Sequence, residues 1–86
     1  MLFFAVSDVQ FSALGKALQD EELLKKMDDA ERMTMLSAAG AITVCSYRVT
    51  GNLHFSDLES KGQDSVRRAL LMLKKYEPMT FSSVDA

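Results

Sequence analysis

The feature that most constrains the fold is an apolar, almost uncharged stretch from Leu36 to Gly51. It is the longest apolar segment of the chain, it contains no acidic residue, and Arg48 is its only formal charge. Such a segment must be covered by other parts of the chain, because exposed apolar area raises the free energy of the folded state. The rest of the sequence has the pattern of amphipathic helices, and we expect these helices to pack against this stretch.

Residue types and spacing disagree about the secondary structure of this stretch. A strand is favoured by its β-branched and aromatic residues, which are Ile42, Thr43, Val44, Tyr47, Val49 and Thr50. A helix is favoured by an apolar stripe at i, i+3, i+4 spacing, made of Met35, Ala38, Ala39, Ile42, Cys45 and Val49. Both faces of the segment are apolar, so periodicity alone leaves the two alternatives open. The residue types give the strand the preference.

The strand interpretation predicts a mainly helical α+β fold, with two or three helices packed on a short sheet. Ala41–Thr50 would form the central strand of that sheet, with Leu2–Val6 or Leu53–Phe55 as its partner. The alternative is an all-α hairpin or bundle with one long central helix that ends at Gly51. The two folds differ only in how this stretch is read.

Two helices are predicted before the central stretch. The first covers about residues 8–18, and it begins with a capping box between Ser7 and Gln10. The second begins at Asp20 and reaches at least Ser37. Acid-first charge pairs at i,i+4 spacing support the second helix and place its charges on the outer face.

A last helix is predicted between a capping box at Ser56–Glu59 and Pro78, with an interruption at Gly62. Its buried stripe should contain Val66, Ala69, Leu70, Leu73 and Tyr76. Residues 1–78 are expected to form a single domain. We expect the Ser-rich tail, 79–86, to fray, although Phe81 and Val84 are apolar enough to dock.

Composition and charge indicate a small cytoplasmic protein without a membrane anchor. The chain has 86 residues, a net charge of −2 and a single cysteine, Cys45, which excludes an intrachain disulfide. The apolar run at the N-terminus is too short for a signal peptide or a membrane span. A domain of this size has a thin core, so we also expect a homodimer or a higher homo-oligomer.

No residue pattern points to catalysis, a metal or a cofactor, and the chain is not expected to be an enzyme. His54 is the only histidine, and no nucleophile-elbow motif accompanies it. Cys45 lies in an apolar run and is interpreted as a core residue. Asp28 and Asp29 point about 100° apart on a helix, which argues against a shared ion. With one cysteine and one histidine, a zinc site would need several chains.

The last helix carries the best candidate for a contact surface. Four basic residues, spaced seven apart in two pairs, form what we call the basic band, and two large apolar residues lie between them. This mixture of apolar side chains and arginine is typical of protein interfaces. The predicted contact residues are Arg67, Arg68, Leu71, Met72, Lys74 and Lys75.

The leading hypothesis is therefore a small protein–protein interaction module: an adaptor, inhibitor or regulatory subunit that covers a surface. One alternative is a nucleic-acid-binding regulator that uses the basic band, although the acidic net charge disfavours it. Another is a sequestering binder of an anionic small ligand at an oligomer interface. Met33 and Met35 cannot both face the same side as Met27, so one of them must point away from the core.

Overall fold

The computed structural model describes residues 4–84, and these residues contain helices and turns but no strand. The helices are α1 (Asp8–Ala17), α2 (Glu21–Lys25), α3 (Asp29–Ser46) and α4 (Ser60–Tyr76), with a short 3-10 turn at Phe55–Asp57. The predicted α+β fold with a short sheet is therefore wrong. An all-helical bundle, the alternative drawn from the sequence, fits the chain.

The stretch that the residue types favour as a strand lies mostly inside α3. Residues 41–46 are helical, and the chain then turns back at Gly51, whose φ of 88° is accessible mainly to glycine. β-Branched residues disfavour a helix by only a few tenths of a kcal/mol each. Burial of Met35, Ala38 and Cys45 along one side of α3 outweighs that preference.

Neither proposed partner strand is present in the described residues. Leu53–Phe55 leads into the 3-10 turn, where the N–H groups of Asp57 and Leu58 donate to the carbonyls of His54 and Phe55. Of the segment Leu2–Val6, Leu2 and Phe3 lie outside the described residues. Residues 4–6 have no regular secondary structure.

The second predicted helix is broken into α2 and α3 by a capping box. The Asp28 carboxylate accepts the N–H of Glu31 at 2.8 Å, and the Glu31 carboxylate accepts the N–H of Asp28 at 3.1 Å. These bonds satisfy backbone donors at the start of a new helix. The prediction of one continuous helix from Asp20 to Ser37 is therefore wrong, because the helix is interrupted between Lys25 and Asp29.

The other helix ends agree more closely with those predicted from the sequence. The capping box of Ser7 and Gln10 starts α1 as predicted. Helix α4 starts at Ser60, after the 3-10 turn, rather than at Ser56, and it continues through Gly62 without interruption. At Gly62 a side chain would put its Cβ 3.2 Å from the Cβ of Ala41, so glycine permits close packing of α4 on α3.

The core lies mainly between α3 and α4, and α1 also packs on α4. The four predicted stripe residues Val66, Ala69, Leu70 and Leu73 are completely or almost completely buried, and Tyr76 is half-buried. After Pro78 the chain forms turns, in which Phe81 and Val84 are both 0% exposed. The amide of Gln10 donates to the Ser83 hydroxyl at 2.7 Å and ties this segment to α1.

Candidate protein-interaction surface

Arg67 of the basic band is folded back onto the protein. Its Nε donates to the carbonyl of Phe4 at 3.0 Å, and its guanidinium lies over the rings of Phe55 and Phe4, at 5.1 and 6.0 Å from their centroids. The Asp64 carboxylate is 3.6 Å from Nη1. A planar guanidinium is suited to stacking on rings while donating in its own plane. With its side chain 15% exposed, Arg67 joins the segment before α1 to α4.

The two lysines of the band also make contacts within the chain. Lys74 Nζ donates to the Val84 carbonyl at 3.0 Å, and Lys75 Nζ lies 2.7 Å from Oε2 of Glu31. Leu71 and Met72 are half-buried and pack against the core. The six predicted contact residues thus share one side of α4, but most of them are engaged within the molecule.

Arg68 is the exception within the band. It is exposed, and no ion pair or hydrogen bond of its guanidinium is found among residues 4–84. It lines a shallow hollow together with Met33, Thr34, Ser37 and Ser65. Arg68 is thus an exposed cation of the band that lies beside α3.

Glu31 joins the start of α3 to the end of α4. Its carboxylate faces Lys75 and accepts a hydrogen bond from the Tyr76 hydroxyl, in addition to the N–H of Asp28. The hydrogen bond from Lys75, and after it those from Tyr76 and Asp28, lower the pKa of Glu31 from 4.5 to about 2. The same pair raises the pKa of Lys75. This cluster links the start of α3 to the end of α4, and Lys75 is part of it.

The outward side of α3 carries large apolar residues. Met33, Leu36 and Val44 are 61%, 63% and 57% exposed, and Tyr47, next to the end of the helix, is 86% exposed. With Gly40 between them they follow a spacing of three, four, four and three residues, which places all five within about 80° of arc. We call these five residues the α3 ridge. No charged residue occurs between Arg32 and Arg48.

Helix α3 therefore has two apolar faces, and only one of them is used by the core. The inner face packs on α4, whereas the ridge points away from it. The sequence contained this signal, because both faces of the central stretch are apolar and two methionines cannot face the same side. The strand interpretation hid it, since a buried strand also needs two apolar faces.

Shallow hollows flank the ridge and extend its apolar character. One hollow is lined by Leu18, Leu24, Arg32, Met35, Leu36 and Ala39, and it is almost wholly apolar. Another lies beside Gly40 and Val44, where α3 meets the start of α4. The ridge thus has an apolar centre with arginines at its border, an arrangement typical of protein interfaces.

The arginines at the ends of the ridge are paired within the chain. Arg32 lies 3.2 Å from the Asp29 carboxylate, and Arg48 lies 2.6 Å from that of Glu59. The pKa of Glu59 is lowered and that of Arg48 is raised, in each case first by the hydrogen bond between them. Each end of the ridge therefore carries a neutral ion pair.

The residues considered for catalysis do not assemble into a reaction site. His54 Nδ1 lies 3.5 Å from the Asp8 carboxylate, but both side chains are more than half exposed. Ser12 lines the same open hollow, and no hydrogen bond from it to His54 is found among the described residues. Cys45 is buried, and its thiol donates to the Asp57 carbonyl at 3.2 Å. The described residues contain no cluster of three possible metal ligands.

Comparison of the chain with protein-family models, curated proteins and solved structures finds no match. Within residues 4–84, no helix is long and apolar enough to cross a membrane.

Proposed function

We propose that this chain is a small protein-interaction module that acts by covering a surface of its partner, and that its contact surface is centred on the α3 ridge. The observation that carries the proposal is a row of four large apolar side chains, each more than half exposed, on one side of a helix segment without charge. Single exposed apolar residues are common on proteins, whereas an aligned row of them marks a binding surface.

The binding free energy of such a contact would come from burial of the exposed apolar side chains of the ridge. Each Å² of apolar surface removed from water contributes about 25 cal/mol, before the cost of association is subtracted. Tyr47 is the most exposed residue of the row, at 86%, and tyrosine is enriched among the residues that dominate binding energy. We expect Arg68 to act at the border of the contact, where charge sets orientation and rate more than affinity.

Of the four basic residues of the band, only Arg68 is included in the proposed contact surface. Arg67, Lys74 and Lys75 already bind groups of their own chain, so a partner would have to displace those contacts. The nucleic-acid and anionic-ligand alternatives need several free cations close together, and the engaged cations give them no support. A cytoplasmic location also remains part of the proposal, supported by the absence of a second cysteine.

Photocrosslinking tests the proposal directly. A photoreactive amino acid is placed at Leu36 in one variant and at Tyr47 in another, and the cells that make the protein are irradiated. The matched control places it at Val9, an α1 residue that is 79% exposed and lies off the ridge. We expect a protein adduct of defined mass from both ridge positions and none from Val9. Equal labelling at all three positions, or no protein adduct at the ridge, would overturn the proposal.

A further inference from the structure

We propose that the α3 ridge is covered by a second copy of the same chain, packed antiparallel with Gly40 at the two-fold axis. This inference rests on the proposed function, since it names the partner of the same surface. It is carried by three observations: the symmetry of the ridge sequence about Gly40, the space above that glycine, and the arrangement of charge at the two ends.

The residues on the outward side of α3 are arranged symmetrically about Gly40. Large apolar residues stand four and seven positions before it and again four and seven positions after it. Small hydroxyl residues, Ser37 and Thr43, stand three positions away on each side, and both are exposed. In a two-fold interface each residue meets the residue at the mirrored position of the partner.

This symmetry gives complementary contacts. Leu36 would meet the partner's Val44, so two aliphatic side chains pack on each side of the axis. Met33 would meet the partner's Tyr47, and a thioether against an aromatic ring is a favourable contact. Every pair occurs twice because of the two-fold axis. A single two-fold axis therefore covers the whole row of exposed apolar residues in both copies.

Gly40 allows the two helices to approach closely. A Cβ built at this position meets no atom within 4 Å, so the surface above the glycine is open. Helix axes usually pack 8–10 Å apart, with the distance set by the side chains at the contact point. A glycine at the crossing, flanked by serine and threonine, places the pair near the short end of that range.

Charge favours the antiparallel arrangement over the parallel one. The ridge itself carries no charge, so no charge is buried at its centre. An antiparallel pair brings the Asp29–Arg32 ion pair of one copy beside the partner's Arg48 and Glu59, which gives two positive and two negative groups at each end. It also opposes the helix dipoles. A parallel pair would place Arg48 against the partner's Arg48 and leave Asp29 against another acid.

The ridge covers much of the length of the molecule. The ridge extends about 21 Å along α3, and the longest dimension of the molecule is 33 Å. A standard interface buries about 800 Å² on each partner, which is roughly a seventh of the 5637 Å² of accessible surface. The ridge supplies the centre, and the hollow beside Leu18 and Leu24 supplies further apolar area.

Sedimentation over a range of protein concentrations tests the dimer. The wild-type mass should move between one and two copies of 9.6 kDa as concentration rises. Val44→Asp should weaken the dimer about a hundredfold or more, since the interface would bury two carboxylates. The matched control, Val9→Asp, should behave as wild type. Val44 is 57% exposed, so we expect its variant to fold, which circular dichroism verifies; Met33→Asp provides a second variant.

Disulfide trapping tests the axis and the direction. In Gly40→Cys the two new thiols face each other at the two-fold axis, and oxidised glutathione should join the copies. In Tyr47→Cys the thiols lie at opposite ends of an antiparallel pair, and no link should form. Trapping of Tyr47→Cys, but not of Gly40→Cys, would overturn the antiparallel arrangement.

The two proposals fail in different ways. A mass of one copy at every concentration, or a dimer that Val44→Asp leaves intact, overturns the second-copy proposal. If ridge crosslinks in cells then carry a different protein, the interaction module stands with another partner. If they carry none, both proposals fail.

Discussion

Glu31 links α3 to α4 through Lys75 and Tyr76, and it makes the stability of the fold depend on pH. Its pKa is lowered to about 2 in the folded chain, from 4.5, by the hydrogen bonds from Lys75 and Tyr76. Because the pKa is lower in the folded chain, the unfolded chain binds a proton at Glu31 more readily than the folded chain does between about pH 2 and 4.5. The contribution of Glu31 is therefore present above about pH 4.5 and is lost as the pH falls from about 4.5 to about 2.

We predict that Glu31→Gln lowers the melting temperature at neutral pH and flattens the loss of stability between pH 4.5 and 2. The amide keeps a similar shape but cannot form the ion pair with Lys75. Urea unfolding followed by circular dichroism at a series of pH values measures both effects. Glu22→Gln is the control, because Glu22 makes only an exposed pair with Lys25. Parallel curves for Glu31→Gln and wild type down to pH 2 would contradict the prediction.

The neighbouring residues Arg67 and Arg68 should differ in their contributions to the free energy of unfolding. Arg67→Ala should lower the free energy of unfolding by about 1–3 kcal/mol, since it removes a charged hydrogen bond and two ring contacts. Arg68→Ala should change it by less than about 0.5 kcal/mol, because Arg68 is exposed. Urea titration gives both values. Equal losses at the two positions would show that the contacts of Arg67 contribute nothing.

Sequence spacing assigns these arginines to one basic band of the last helix, but it does not show what they touch. The acceptor for Arg67 is the carbonyl of Phe4, 63 residues away in sequence. Helical periodicity contains no information about such a partner, because it depends on where the chain before α1 is laid down. For the same reason, helical spacing does not indicate that Lys74 donates to the carbonyl of Val84.

A capping box at Asp28 and Glu31 separates α3 from α2. We predict that Asp28→Ala lowers the free energy of unfolding by about 1 kcal/mol through loss of the N-cap. Asp29→Ala is a matched control one residue away, because its carboxylate is fully exposed and makes only a surface pair with Arg32. That control should change stability by less than about 0.5 kcal/mol. Urea unfolding distinguishes the two, and equal effects would contradict the role of the cap.

The sequence contains the signal for this cap, but the charge spacing favours a continuous helix and leads to the wrong prediction. Asp28 and Glu31 have the separation of a capping box, but the acid–base pairs on either side favoured one continuous helix. The strand at 41–50 failed for a different reason. A short run that is apolar on both faces fits the periodicity of a helix and that of a strand. The helix forms here because α4 offers a complementary apolar side for α3 to pack on.

At the scale of the whole molecule, the ridge cannot be explained by loose packing. The radius of gyration is 12.1 Å, and about 12 Å is expected for a compact chain of this length. The core formed by α1, α3 and α4 is closed, with Leu14, Ala38 and Leu70, one from each helix, at 0% exposure. The chain therefore completes an ordinary core and still has a row of large apolar residues outside it. This surplus is what the sequence indicated through its methionines, although it did not locate the row.

The segment after Pro78 closes the core, and its removal should affect the entire bundle. Phe81 and Val84 have no exposed surface, and Gln10 and Lys74 hold the same segment by hydrogen bonds to Ser83 and Val84. Replacing a buried phenylalanine by alanine costs about 3–5 kcal/mol, through lost transfer free energy and the cavity that remains. Small domains have only about 5–15 kcal/mol in total.

We therefore predict that Phe81→Ala lowers the free energy of unfolding by about 3–5 kcal/mol, in a single cooperative transition. Cooperative loss is expected because Phe81 belongs to the same buried cluster as residues from α1, α3 and α4. Met79→Ala, two residues earlier and 90% exposed, is the control and should change stability by less than about 0.5 kcal/mol. Urea unfolding followed by circular dichroism, with hydrogen exchange of α1 and α4 amides, measures this. A loss confined to the last turn, with α4 protection unchanged, would show that the segment is an appendage and that the four helices are stable without it.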